Sequence, residues 1–155
     1  MIVRTTIKPW LKEYAQFRFG VHARARDHNL LGILIRPLLS VMPKDYKDPS
    51  VDPNELLTMD VSRDLCINCN MVAGQRIYLT PDNQYYFEHI VKKLFGQDVF
   101  SYIDNNLKHN SERSSGIKAA IKEMCKSCNI TYSEKLYNNL QKEYHRNIIH
   151  EGAHE

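Results

Sequence analysis

One row of apolar residues constrains this chain more than any other feature. Between Thr80 and Leu107 a large apolar side chain recurs at every fourth position, as Phe87, Val91, Phe95, Val99, Ile103 and Leu107. Because an α-helix has about 3.6 residues per turn, such a row drifts around a straight helix and touches several partners, unless the helix breaks near Gly96. Thr80-Pro81-Asp82 supplies a cap, a proline at the first helical position and an acid in the first turn. The pattern predicts a long helix that forms the spine of the fold.

The first half of the chain alternates short strands with helices. Two helices are predicted, one from Pro9 to Gly20 and one over residues 30–39. Asn29 can cap the second helix, and Pro37 kinks or ends it. The second is apolar on nearly every side, so we expect it to be central to the core. β-Branched and apolar runs predict three strands in one small sheet, at residues 2–7, 56–61 and 76–79. Residues 64–74, with two cysteines, are expected to form a loop.

Two helices meet across a tight turn between Ser114 and Asn147. In the first, helical spacing places five apolar residues on one stripe, namely Ile117, Ala120, Ile121, Met124 and Cys128. Asn129 tolerates the left-handed conformation that often closes a helix. Thr131 and Glu134 match a capping box, which predicts that the second helix begins there. We therefore expect a pair of helices that resembles a helix-turn-helix.

The second helix of this pair, residues 132–146, has one apolar side and one polar side. Tyr132, Leu136, Leu140 and Tyr144 share the apolar side with Tyr137, and the other side carries hydrogen-bond donors. Helix-turn-helix proteins need such donors because their second helix enters the major groove, where amide side chains pair with adenine and lysines reach guanine or phosphate. The candidate DNA contacts of the pair are Lys118, Lys122, Lys135, Asn138, Gln141, Lys142 and Arg146. An ordinary αα-hairpin with a solvated face explains the same pattern.

Residues 22–28 form a second basic stretch, His-Ala-Arg-Ala-Arg-Asp-His. Arg24 and Arg26 are candidate phosphate contacts in a basic loop or extended arm. The alternative is a solvated loop without a ligand.

Charge is compatible with a nucleic-acid partner without demanding one. The 155-residue chain has a formal net charge of +3, with basic residues toward both ends and an acidic middle. Phosphate binding usually comes with a more strongly basic patch. No charged stretch followed by an apolar one opens the sequence, so we expect no signal peptide, and the longest apolar run is too short to span a bilayer. We expect a cytoplasmic protein that makes no membrane contact.

Four cysteines occur as two C-x-x-C pairs, Cys66/Cys69 and Cys125/Cys128. Four thiols are the ligand count of a structural zinc site, but about 55 residues separate the pairs, compared with roughly 15 to 20 in a zinc ribbon. Packed or free thiols are therefore expected, with zinc and a disulfide or redox role as the alternatives. His150-Glu-Gly-Ala-His154 matches a metalloprotease pattern, yet it lies at the end of the sequence, where we expect a frayed tail. No metal and no cofactor are predicted.

Several segments together resemble a family of short, largely uncharacterised proteins of phage-like and other mobile elements of Bacteroidetes. The segments that carry the resemblance are Lys8-Pro-Trp-Leu-x-Glu13-Tyr14, the helix over residues 30–39 with its proline connector, Tyr78-Leu-Thr-Pro81, Ile117-Lys-Ala-Ala-Ile121 and residues 132–146. The resemblance implies that the protein is encoded on a mobile element and has a DNA-binding or regulatory function. It implies no catalytic residues.

The combined prediction is a mainly helical α+β single domain over residues 1–149, with a small β-sheet, a helix-turn-helix-like pair at 114–147 and a flexible tail at 150–155. No phosphate-binding glycine loop, nucleophile elbow or carboxylate pair is evident, so we expect a non-enzyme. The expected function is that of a DNA-binding regulator or accessory protein of a mobile element, with double-stranded DNA as partner and a homodimer as a further expectation. The alternative is a protein-interaction or structural module that uses the same helix pair as a dimer or partner interface.

Overall fold

The computed structural model describes residues 1–47, 51–68, 74–107 and 113–151. Its strands are β1 (Ile2–Thr6), β2 (Arg24–Ala25), β3 (Leu39–Val41), β4 (Leu56–Val61) and β5 (Ile77–Leu79). Its α-helices are α1 (Pro9–Phe19), α2 (Leu30–Ile35), α3 (Arg63–Asn68), α4 (Pro81–Leu107), α5 (Arg113–Ser127) and α6 (Glu134–Glu151). The predicted fold class, a mainly helical α+β protein with little sheet, is confirmed.

The strands form two small sheets instead of the single sheet that we predicted. One has the order β1-β4-β2, with β4 antiparallel to β1 and parallel to β2. The other pairs β5 with β3 in antiparallel register, Ser40 opposite Tyr78. The partner of β5 was missed because β3 has only 3 residues and directly follows a helical stretch.

The helix predicted over residues 30–39 is shorter than expected. Asn29 caps α2 by accepting a hydrogen bond from the Gly32 amide at 2.8 Å, and α2 ends at Ile35, just before Pro37. Residues 36–38 continue as a 3₁₀-helix. Ile33 is 57 % exposed and Leu30 is 40 % exposed, so only part of this segment is in the core. The expected loop at 64–74 also begins differently, because residues 63–68 form α3.

The long helix α4 is confirmed and continues through Gly96 without a break. Thr80 caps it, its Oγ1 accepting a hydrogen bond from the Asn83 amide at 3.3 Å. Of the apolar row, all but the last member are buried, and these are Phe87, Val91, Phe95, Val99 and Ile103. Such complete burial along about four turns shows that the row has core neighbours over most of its length.

The chain divides into two compact units, Met1–Val91 and Lys92–Glu155. Unit 1 contains both sheets with α1, α2 and α3, and its core includes Leu11, Tyr14 and Met59, each fully buried. Unit 2 contains α5, α6 and the later part of α4. The organisation of residues 1–149 as one domain stays a prediction.

Candidate nucleic-acid interface

The apolar stripe of α5 is buried as predicted. Ile117, Ala120, Ile121, Met124 and Cys128 are all at most 8 % exposed. Lys122 and Lys126 lie off the stripe and are exposed, whereas Lys118 is half-buried. The stripe therefore docks α5 within unit 2 and leaves its lysines at the surface.

A Schellman motif closes α5. Asn129 has a φ of 57°, the left-handed conformation predicted for it. The Ile130 amide donates to the Cys125 carbonyl at 2.8 Å, and the Asn129 amide donates to the Lys126 carbonyl at 3.2 Å. Ile130 is 5 % exposed, so an apolar contact accompanies the motif. This cap fixes the direction in which the chain leaves α5.

The predicted capping box at Thr131 is wrong, because α6 begins two residues later than that box requires. Ser133 is the cap, its Oγ accepting from the Leu136 amide at 3.2 Å. Glu134 becomes the first helical residue, where a carboxylate suits the positive end of the helix dipole. Its side chain contacts Lys118 and the Tyr132 hydroxyl instead of reaching back to the Thr131 amide.

Two buried residues dock α6 on the rest of unit 2. Leu140 is 5 % exposed and Tyr144 is 3 % exposed. The Tyr144 hydroxyl donates to Asp104 Oδ1 at 2.5 Å, and its ring lies 5.5 Å from that of Phe100 on α4, centroid to centroid. Leu136 and Tyr137 are half-buried. The apolar side predicted for this helix is therefore the side that packs.

The opposite side of α6 presents polar and cationic groups to solvent. Its exposed residues are Lys135, Asn138, Asn139, Lys142, His145 and Arg146, and we call this set the α6 face. Asn139 was missing from the predicted contacts, although its place beside Lys135 and Lys142 on a helical wheel could have indicated it. Gln141, which was predicted, is half-buried.

Both carboxylates between residues 134 and 146 have lysine partners on other helices. Glu134 Oε1 lies 3.1 Å from Lys118 Nζ on α5, and Glu143 Oε1 lies 3.7 Å from Lys92 Nζ on α4. The hydrogen bond to Lys118 lowers the pKa of Glu134, and the same bond raises the pKa of Lys118. These contacts offset the negative charge beside the α6 face.

Lys118 and Lys122 lie where α5 meets the start of α6. Lys118 Nζ is 5.2 Å from the centre of the Tyr137 ring, and Lys122 Nζ is 5.1 Å from that of Tyr132. Cation–π contacts at exposed sites are weak, because water screens the charge of the lysine. Lys118, a predicted DNA contact, therefore interacts with the Glu134 carboxylate and the Tyr137 ring. Lys122, also a predicted DNA contact, interacts with the Tyr132 ring.

Arg24 and Arg26 belong to unit 1 and are exposed. The predicted basic loop is partly a strand, because Arg24–Ala25 form the edge strand β2 beside β4. Asn29 orders the next residues: its Nδ2 donates to the Arg24 carbonyl at 2.6 Å, and its Oδ1 accepts from the Arg26 amide at 3.1 Å. The backbones of Arg24 and Arg26 are therefore held in place by Asn29, and both arginines are exposed.

Cys66, Cys125 and Cys128 are buried, and Cys125 and Cys128 are free thiols. Over the described ranges, no three His, Cys, Asp or Glu side chains come together in a way that could hold a metal ion. Cys69 lies outside the described residues, as does His154 of the predicted tail. The backbone of α6 extends to Glu151, two residues into that tail.

We expect Cys128 to resist thiol reagents in the folded protein. Burial, with smaller contributions from Cys125 and Asp98, raises the pKa of its thiol to about 11, so at pH 8 it is almost entirely protonated. Because the thiolate is the nucleophile, labelling at this pH should be on the order of 100-fold slower than that of free cysteine. Peptide mapping after timed alkylation measures this, with urea-unfolded protein as the control. Equal rates in folded and unfolded protein would contradict the burial of this thiol.

Comparison of the chain with protein-family models, with curated proteins and with solved structures returns no match. The resemblance to proteins of Bacteroidetes mobile elements stays a prediction. Within the residues that the structure describes, no helix has the combined length and apolar character needed to cross a membrane.

Proposed function

We propose that this protein binds double-stranded DNA through the α6 face, as a regulator or accessory factor of a mobile genetic element. The observation that carries the proposal is the chemistry of that face: three cations and two amides, Lys135, Lys142, Arg146, Asn138 and Asn139, all exposed on one helix. Amide side chains suit adenine edges, and lysines and arginines suit guanine or phosphate.

Packing and charge pairing both support this proposal. Leu140 and Tyr144 hold the opposite side of the helix, so the donors lie on a helix whose orientation in unit 2 is fixed. Glu134 and Glu143 are paired with Lys118 and Lys92, which reduces repulsion toward a polyanion. A helix so arranged can present its donors to a groove without reorganising its own unit.

Two single substitutions, with a third as control, test the proposal on a duplex site selected from random sequences. Asn138→Ala should cost about 1 to 3 kcal/mol on the selected site and little on random duplex, as loss of a bidentate base contact does. Lys142→Ala should weaken binding to both duplexes alike, as loss of a phosphate contact does. Fluorescence anisotropy at fixed salt measures both affinities.

Lys126→Ala is the matched control, because Lys126 is an exposed lysine of α5 that does not belong to the α6 face. It should leave both affinities unchanged, and thermal unfolding should be unchanged in all three variants. If Asn138→Ala and Lys142→Ala instead alter self-association or partner binding and leave DNA affinity untouched, the interaction-module alternative replaces this proposal. If they change neither, Arg24 and Arg26 become the next candidates for DNA contact.

A further inference from the structure

Two lysines from neighbouring helices meet α6 beside the α6 face. Lys118 Nζ of α5 lies 3.1 Å from Glu134 Oε1, and Lys92 Nζ of α4 lies 3.7 Å from Glu143 Oε1. All four residues belong to unit 2. Lys118 was a predicted DNA contact, whereas Lys92 was not. The two ion pairs show where a cation of another helix lies against α6.

The two glutamates place these pairs on opposite sides of α6. They are nine residues apart in the sequence, which is about two and a half turns of an α-helix and about 14 Å along its axis. Lys135, Asn138 and Lys142 lie between them on the exposed side of the helix. Leu140 and Tyr144, which are buried, lie between them on the other side. The exposed donors of α6 therefore have a lysine of α5 on one flank and a lysine of α4 on the other.

Duplex DNA has a matching arrangement of charge. Its major groove is about 12 Å wide and admits one α-helix. A phosphate backbone runs along each edge of this groove, so a helix that lies in it has one strand on each flank. A single strand offers one backbone only. Lysines on both flanks of α6 therefore fit a double helix better than a single strand.

Both lysines can exchange a glutamate for a phosphate. The four side chains of the two pairs are between 41 % and 63 % exposed, and ion pairs this exposed are weak because water screens the charges. A lysine that neutralises a DNA phosphate also releases a condensed counterion, which favours binding. Little stability is therefore lost when either lysine leaves its glutamate for the DNA backbone.

We propose that Lys92 and Lys118 anchor the two strands of a DNA duplex, one at each edge of the major groove that α6 occupies. The proposal rests on the proposed function, because α6 must lie in the groove for its flanks to meet both strands. It defines the partner more closely, as a double helix contacted on both backbones, and it adds Lys92 to the site. Backbone contacts of this kind position a protein on DNA without reading its sequence.

Ethylation interference on the selected duplex site tests the proposal, because ethylated phosphates that block binding mark the phosphates that the protein contacts. Wild-type protein should show interference on both strands. Lys92→Gln should remove a signal from one strand, and Lys118→Gln should remove a signal from the other. Each should also reduce the salt slope of binding by about one unit. Glutamine removes the charge of the lysine and keeps an amide that can donate to the glutamate.

Lys126→Gln is the matched control, because Lys126 is an exposed lysine of α5 that belongs to neither pair. It should leave the interference on both strands unchanged. If Lys92→Gln and Lys118→Gln lose signals on the same strand, or lose none, the proposal is overturned. The proposed function survives that result as long as Asn138→Ala still weakens binding to the selected site. Absence of duplex binding by the wild-type protein would overturn both.

Glu143→Gln gives a prediction of the opposite sign. Removing this carboxylate leaves Lys92 available to phosphate, so duplex affinity should rise about threefold. The rise should be smaller in protein that also carries Lys92→Gln, because the freed lysine is then absent. Fluorescence anisotropy on the four proteins measures both rises. Equal rises in the two backgrounds would show that Lys92 does not contact phosphate and would overturn its assignment.

Discussion

Gly32→Ala is expected to destabilise the protein by about 4 kcal/mol or more, which is at the extreme of single substitutions. A Cβ built at this position would lie 1.7 Å from the Arg26 carbonyl oxygen and 2.5 Å from its carbon. Both are backbone atoms, so no side-chain rotation can relieve the overlap. Moving Arg26 would also disturb its amide hydrogen bond to Asn29, the residue that caps α2. Urea unfolding followed by circular dichroism measures the change.

Gly96→Ala is the matched control for this prediction. Gly96 lies inside α4, and the nearest atom to an added Cβ is Phe100 Cζ at 3.9 Å, an ordinary contact. Alanine should therefore raise stability, by about 0.5 to 1 kcal/mol, through helix propensity and a less flexible unfolded chain. A Gly32→Ala protein that unfolds at the wild-type urea concentration would show that α2 and Arg26 do not approach each other this closely.

The second large effect is expected at Tyr144. Truncation to alanine removes a side chain that is 3 % exposed and should cost about 3 to 5 kcal/mol, because a cavity is left where the ring contacts Phe100. Tyr144→Phe keeps the ring and loses the hydrogen bond to Asp104, so it should cost about 1 kcal/mol.

Tyr85→Ala provides the comparison, since Tyr85 is 71 % exposed and its loss should change stability by no more than about 0.5 kcal/mol. The three free energies of unfolding, measured under one set of conditions, give the ranking. Equal costs for Tyr144→Ala and Tyr85→Ala would mean that α6 is not docked through Tyr144.

Local signals in the sequence predicted much of the fold. Each of these signals lies within a few residues of the structure that it determines. They are the helix caps Asn29 and Thr80, the left-handed Asn129 and the apolar row of α4 with its spacing of four residues. The exposed side of α6 was predicted for the same reason, because helical periodicity alone separates Leu140 from Lys142.

The parts that could not be predicted depend on contacts between residues distant in sequence. The pairing of β5 with β3 joins segments about 38 residues apart, and β3 is too short to show the alternation of apolar and polar residues that indicates a strand. The start of α6 was misplaced because Glu134 pairs with Lys118 on the neighbouring helix, a partner that the local capping pattern does not contain.

The salt dependence of duplex binding tests the central claim most directly. The affinity of wild-type protein and of Lys142→Ala for random duplex DNA is measured by anisotropy between about 50 and 200 mM salt. Binding through the α6 face predicts that the logarithm of affinity falls linearly with the logarithm of salt concentration, and that Lys142→Ala reduces the slope by about one unit. The absence of duplex binding by the wild-type protein at about 50 mM salt would contradict the account.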